Sequence, residues 1–256
     1  MSNIYISLTG GLGNQLYIVA TALSLSKILN EDIILDTTTY KKYKLHKLLV
    51  NKLFPLMKYE SNNIILRGYP LLSKNKRFFK LINEFSASYD ERILKDLSNR
   101  NFYCDYYLKG YFQSLSYFSH ILPEIKNQVY KNLKLLNNEI KFNEIKNILS
   151  KTLTIHIRRK DKILELNKSI YGNISKKGYQ NIITSSLNNY EYKYLLIVGD
   201  DQNFNDKLKD YLRLNVKIIT SKYISNKVSA FQDLFYMINS KGLILNNSSF
   251  SLWAGY

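Results

Sequence analysis

Four short stretches place polar or charged side chains just after an apolar run, where a strand would end. HIRRKD (156–161) follows the run TLTIHI. Strand alternation puts Leu153, Ile155 and Ile157 on one face and Thr154 with His156 on the other, so Arg158 and Arg159 emerge at the strand's end. Adjacent guanidiniums repel unless an anion lies between them, and a diphosphate offers enough oxygens for two such forks. A surface pair bridged to Asp161 is the plainer alternative. In GGLGNQLY (10–17), Gly10, Gly11 and Gly13 permit backbone angles closed to other residues, and a helix opening there offers N–H groups and a positive dipole end to an anion. The spacing is not the GxGxxG dinucleotide fingerprint, and only Asp36 stands near a ribose-binding position, so a plain tight turn stays open. GDDQNF (199–204) carries Asp200 and Asp201, which suit a metal, a ribose diol or a guanine N–H edge; read alone, they cap a helix. NNSSFSLWAG (246–255) is a Ser/Asn-rich turn that either grips phosphate oxygens or caps the helix it opens.

The elements that must position these stretches are legible at both ends of the chain. Ile4, Ile6 and Leu8 alternate as a strand, the glycines follow, and Leu16, Val19, Ala20, Leu23 and Ile28 recur at helical spacing before a second strand over 33–35. Residues 40–100 give mixed signals, with Pro55 and Pro70 interrupting any long element. After Pro123 a helix is expected from Ile125, Val129, Leu133 and Leu136. From there strands over 153–157, 194–198, 216–219 and 243–245 alternate with helices over 179–187, 204–212 and 230–238. Strand and helix in alternation imply a parallel sheet wrapped on both faces, with functional residues at the carboxyl ends of its strands.

The totals bound the rest. The 256 residues, 45% of them hydrophobic, suit one large domain or two ordinary ones. A formal charge of +17 favours acidic partners, yet the lysines are scattered and the richness in Lys, Asn, Ile and Tyr is what AT-rich codons yield, so most of the charge is read as a solvated face. Such a face would still hold a peripheral protein near anionic lipid. Cys104, the single cysteine, forms no internal disulfide, and no Cys/His cluster has metal-ligand spacing. With no signal peptide and no apolar run near the roughly 18 residues of a membrane span, a cytoplasmic location is expected, peripheral at most to the inner membrane face.

Taken together, GGLGNQLY, GYFQS (110–114), HIRRKD, GDD (199–201) and NSSFSLW (247–253) resemble the landmarks of the bacterial α-1,2-fucosyltransferases, glycosyltransferase family 11, in the family's order and over nearly the whole chain. The resemblance implies an α/β fold of GT-B type, two Rossmann-like domains facing across a cleft, here 1–150 on the acceptor side and 151–256 on the donor side. It implies GDP-fucose as donor substrate, no cofactor and no metal. It assigns catalysis to Arg158, Arg159, Asp161 and His156, and donor binding to Gly11, Gly13, Asn14, Gln15, Asp200, Asp201, Asn247, Ser248, Ser249 and Phe250. Gln113 and Glu165 are the acceptor-side candidates. The glycine loop is expected to face the donor's pyrophosphate, with Asn14 near it. Lys160 stands where the family usually has Gly, and Gly199 where Ser often precedes the Asp pair. Relatives usually continue through a further strand and helix, so the second domain is expected to be short after Tyr256.

The implied reaction inverts the anomeric carbon of GDP-β-L-fucose, placing fucose on the 2-hydroxyl of a galactose in a glycan or lipid-linked oligosaccharide, in cell-surface polysaccharide or O-antigen synthesis. Arg158 and Arg159 would neutralise the leaving diphosphate, with Asp161, or else Glu165, as the base. An inactive nucleotide-sugar-binding homologue or truncated form is the open alternative. A nucleic-acid-binding module would exploit the charge and the 22 tyrosines, but the basic stripe with interleaved aromatics that it needs is missing, so nucleic acid is not an expected partner.

Overall fold

The computed structural model describes residues 2–42, 45–61, 79–84, 88–101, 103–137, 142–159, 174–188, 190–224 and 229–256. The chain divides into two compact units, Met1–Asn132 and Leu133–Tyr256.

The first unit is built on five parallel strands: β1 (Ile4–Ser7), β2 (Ile33–Asp36), β3 (Lys58–Glu60), β4 (Phe79–Asn83) and β5 (Asp105–Lys109). Their order is β3-β2-β1-β5-β4, so the direction of winding reverses between β1 and β5. Helix α1 (Leu12–Leu29) follows β1 and is buried nearly all round through its first half, as an apolar helix lying on a sheet must be. It ends on Asn30 at φ 52°, a left-handed cap whose N–H returns to Ser26 O; asparagine tolerates that conformation. Helix α2 (Glu91–Ser98) joins β4 to β5, with Asp90 capping its first turn.

Helix α3 (Leu122–Leu136) carries the division between the units, which falls ahead of the expected 150/151 boundary. Helix α4 (Phe142–Leu149) falls in the second unit and packs on elements of it. That unit holds four parallel strands, β6 (Thr152–Ile157), β7 (Tyr194–Gly199), β8 (Lys217–Thr220) and β9 (Gly242–Ile244), in the order β8-β7-β6-β9. Here the winding reverses between β6 and β9. Helices α5 (Lys176–Asn188), α6 (Gln202–Tyr211), α7 (Ala230–Asn239) and α8 (Ser249–Gly255) complete it. Leu153, Ile155 and Ile157 of β6 join Tyr179, Ile183, Leu195, Ile197 and Leu208 in one core. The opposite face of β6 is polar: Thr152 Oγ1 donates to Ile148 O, and the Thr154 and Ser240 hydroxyls lie 2.5 Å apart. Both units are Rossmann-like, the α/β architecture expected of the GT-B type.

One buried acid in α7 gives a pH prediction. Asp233 accepts a 2.6 Å hydrogen bond from Ser221 Oγ, yet burial, reinforced by Asp200 and opposed by Ser221, pushes its carboxyl up to about 7. The folded state then keeps a proton that the unfolded state has already released, so stability falls as pH rises from the ordinary carboxylate range through about 7. Asp233→Asn keeps the acceptor and cannot ionise. Its melting temperature is expected to exceed the wild type's at about pH 8 and to match it at about pH 4, as read by thermal denaturation across that range. Among the described residues no helix is long and apolar enough to cross a membrane.

Candidate active site

Among the described residues, the glycine turn of the first unit and the Arg158 and Ser248 turns of the second lie at the carboxyl edge of their sheets beside the strand-order reversal, the place where open parallel sheets bind ligands. In the second unit the loops after β6 and β9 meet there. Arg158 Nη1 reaches Ser248 Oγ at 3.5 Å across 90 residues of sequence. Ser248 is buried at the N-cap of α8 and makes no side-chain cap bond. Asn247 is exposed beside it, and Ser249 opens the helix. Ser251 braces the turn, donating to Asn246 O and Ser248 O.

The two arginines part rather than emerge as a paired fork. Successive side chains leave a strand on opposite sides, and different neighbours receive them. The Arg159 guanidinium lies 3.8 Å from the centre of the Phe204 ring, and its Nε stands 3.9 Å from Asp201 Oδ2. Its backbone amide donates to Asp200 Oδ1 at 2.8 Å. Asp201 also caps α6, accepting from Phe204 N. The acidic pair is therefore engaged within the chain, holding the end of the HIRR strand. The bend before it needs glycine: Gly199 sits at φ 157°, and a Cβ there would lie 2.0 Å from Ile157 O. His156 is 5% exposed with its ring against Phe250, centroids 5.4 Å apart. That sets the imidazole beneath the turn, with little of its surface open to solvent. Asp161 and Glu165 lie outside the described residues.

In the first unit the loops after β1 and β5 meet. Gly10 turns at φ 77°, and a Cβ there would lie 2.7 Å from Asn14 Nδ2. Gly11 is the N-cap of α1, with no side-chain cap bond and no acidic residue in the first turn. The buried Gly13 follows in that turn. This leaves first-turn N–H groups and the positive end of a long helix for an anion. Half-buried Asn14 accepts from Gln113 Nε2 at 2.9 Å. Gln15, expected on the donor side, is held by the backbone around it. It is fully buried, donates to Gly10 O and Lys47 O, and accepts from Leu49 N and Val50 N. With its hydrogen-bonding capacity filled by the backbone, it ties the glycine turn to the 47–50 loop. Tyr40 adds a second tie, its hydroxyl donating to Gly10 O. Asp36, the residue nearest a ribose position, is buried and receives Thr38 and Tyr107. It is a strut of the sheet edge.

Phe204 and Tyr40 belong to these sites but carried no chemical signal in the sequence: an aromatic after an Asp pair and a tyrosine in an unpatterned segment acquire meaning only from what packs on them. Among the described residues no three acidic, histidine or cysteine side chains cluster as metal ligands would.

The sequence model of glycosyl transferase family 11 matches residues 6–256. An α-1,2-colitosyltransferase from Escherichia coli is 26% identical over 271 residues, spanning 100% of this chain and 88% of that protein. The fold is shared with the fucosyltransferase NodZ from Bradyrhizobium, at a TM-score of 0.53, 12% identity and coverage of 99% of this chain and 92% of that one. It is also shared with POFUT1 solved in complex with GDP, at 0.52, 13%, 99% and 94%.

Proposed function

The chain belongs to glycosyl transferase family 11, and on that premise we propose that it transfers L-fucose from GDP-β-L-fucose to the 2-hydroxyl of a galactose, inverting the anomeric carbon to give an α-1,2 linkage. The observation that carries the reading is the meeting of Arg158 with the Ser248 turn at the strand-order reversal of the second sheet. A cation, hydroxyls and a helix start at one sheet edge suit the diphosphate of a nucleotide sugar.

Two tasks follow from inversion in one displacement. Charge grows on the β-phosphate as GDP leaves, and a guanidinium held in place answers it without reorganising. Arg158 is assigned that task. Arg159, braced by Phe204 and Asp201, holds the strand end and adds field. The galactose hydroxyl must lose a proton, and Asp161 is assigned as its base, with Glu165 second. The α1 N-terminus and Asn14 are assigned to the donor's pyrophosphate.

A thermal-shift panel tests the nucleotide. GDP is expected to raise the melting temperature while UDP and ADP at equal concentration do not, because a ligand that binds only the folded state stabilises it by mass action. Equal shifts from all three would remove GDP from the account. With arginine supplying the charge, activity in EDTA is expected to stay within about twofold of that in magnesium. An absolute metal requirement would move Asp200 and Asp201 to the centre.

A second reading concerns the donor alone and is favoured by the colitosyltransferase relative. Colitose is fucose without its 3-hydroxyl, and a pocket built to hydrogen-bond that hydroxyl rejects the deoxy sugar strongly. Comparing kcat/KM for GDP-fucose and GDP-colitose decides between them. We place the reaction in the cytoplasm at the inner membrane face, on a galactose-containing or lipid-linked acceptor, from the chain's basic charge. Salt-sensitive sedimentation with anionic vesicles and none with neutral ones would bear that out.

A further inference from the structure

We propose that Glu84 is a positioning residue for the transfer reaction: standing at the carboxyl end of β4, it fixes the turn after β5 so that Gln113 holds Asn14 at the start of α1. The inference rests on the fucosyl-transfer reading above for the task it assigns to Asn14.

Four observations carry it. Glu84 Oε2 accepts a hydrogen bond from Phe112 N at 2.5 Å, and the Tyr111 amide and Tyr117 hydroxyl also act on the carboxylate. Phe112 stands at φ 51°, a left-handed conformation that a residue with a bulky side chain adopts only when its surroundings impose it. Its ring is fully buried, edge-on to Tyr117 at 5.5 Å. A Cβ at Gly110 would lie 2.6 Å from Glu84 Oε2, so the glycine opening GYFQS makes room for this carboxylate. A carboxylate accepting backbone amides makes a strong, directional bond, and here it holds the one kink that turns the chain after β5. The next side chain, Gln113, then donates to Asn14 Oδ1 at 2.9 Å.

The topology explains why the effect reaches the site. β5 lies between β4 and β1, so a group at the end of β4 grips the loop after β5, which in turn grips the loop after β1. Burial holds the Glu84 carboxyl above its ordinary range, against the amides, the Tyr117 hydroxyl and with the help of Asp90. That acid is thus partly buried at a sheet edge for the sake of a loop, and the loop's Gln113 ends on Asn14 in the first turn of α1.

The test combines backbone exchange with kinetics in the wild type, Glu84→Ala, Glu84→Gln, Gln113→Ala and the Glu84→Ala/Gln113→Ala double variant. Hydrogen exchange of the segment 8–17 is expected to rise in Glu84→Ala and in Gln113→Ala, with no further rise in the double variant. With GDP-fucose, kcat is expected to fall between about tenfold and about hundredfold in each single variant while the donor KM moves little, the effect of a misplaced group rather than a lost binding contact. Glu84→Gln, which keeps an acceptor oxygen in the same place, should recover most of the loss. The double variant should be no slower than the worse single one, since both act through Asn14. Unchanged exchange at 8–17 in Glu84→Ala, wild-type kcat in that variant, or multiplicative losses in the double variant would overturn the proposal. Should Glu84→Ala not fold, Glu84→Ser, whose side chain is too short to accept from Phe112 N, takes its place in every comparison. A wild type with no turnover of GDP-fucose would defeat the fucosyl reading instead, while the exchange measurements would still decide whether Glu84 governs the glycine turn.

Discussion

Replacing Arg158 with lysine is expected to yield a folded protein that has lost about 10² to 10³ in kcat, the usual cost of removing one preorganised donor to transition-state charge. Lysine keeps the positive charge but loses the planar fork that reaches two oxygens at once. Arg158 is the sensitive residue because its guanidinium points to the Ser248 turn at the strand-order reversal. Arg159→Lys should behave differently. That side chain is 17% exposed, stacked on Phe204 and paired with Asp201, so its loss should lower stability and GDP affinity along with turnover. A surface pair without a catalytic role would cost at most about 1 kcal/mol of stability and nothing in rate. Steady-state kinetics with circular dichroism on both variants separates the cases. Wild-type kinetics in Arg158→Lys would remove the diphosphate assignment.

Asp161→Asn is expected to lower kcat by about 10² or more while leaving GDP affinity nearly intact, the scale and signature of a lost general base. The expectation follows from position in the sequence, one residue beyond the Arg-Arg-Lys run at a strand end that delivers Arg158 to the site. Glu165→Gln is the control. If it shows the large kcat loss and Asp161→Asn shows none, the two acids exchange roles.

How far the sequence reveals the fold follows from what each strand buries. YLLIVG of β7 and TLTIHI of β6 are covered on both faces, so their residues form continuous apolar or hydroxyl-bearing runs that stand out from their flanks. β5 reads DYYLK and β4 reads FKLIN, strands that open on an acid or carry lysine and look like neither period. Asp105, at the start of an inner strand, accepts from Asn3 N, 102 residues away. The three residues of β3 are too few to show any period.

The site divides along the same line. Glycines, arginines and the Ser/Asn turn are visible because their chemistry is local. What each side chain finds is not: Arg159 meets Phe204 and Asp201, Arg158 meets Ser248, and Gln15 spends its amide on the 47–50 loop. Capping by Asp201 is the simpler reading of GDDQNF, and the Asp201 side chain accepts from Phe204 N.

Inverting fucosyl transfer from a GDP donor to a galactose 2-hydroxyl is decided by proton NMR of the product formed from GDP-β-L-fucose and a β-galactoside in EDTA. A new fucose anomeric proton with the small coupling of an α-linkage, a galactose substituted at its 2-position, and GDP released in equal amount are the expected result. A β-linked product, or no GDP release above the rate without enzyme, would contradict it.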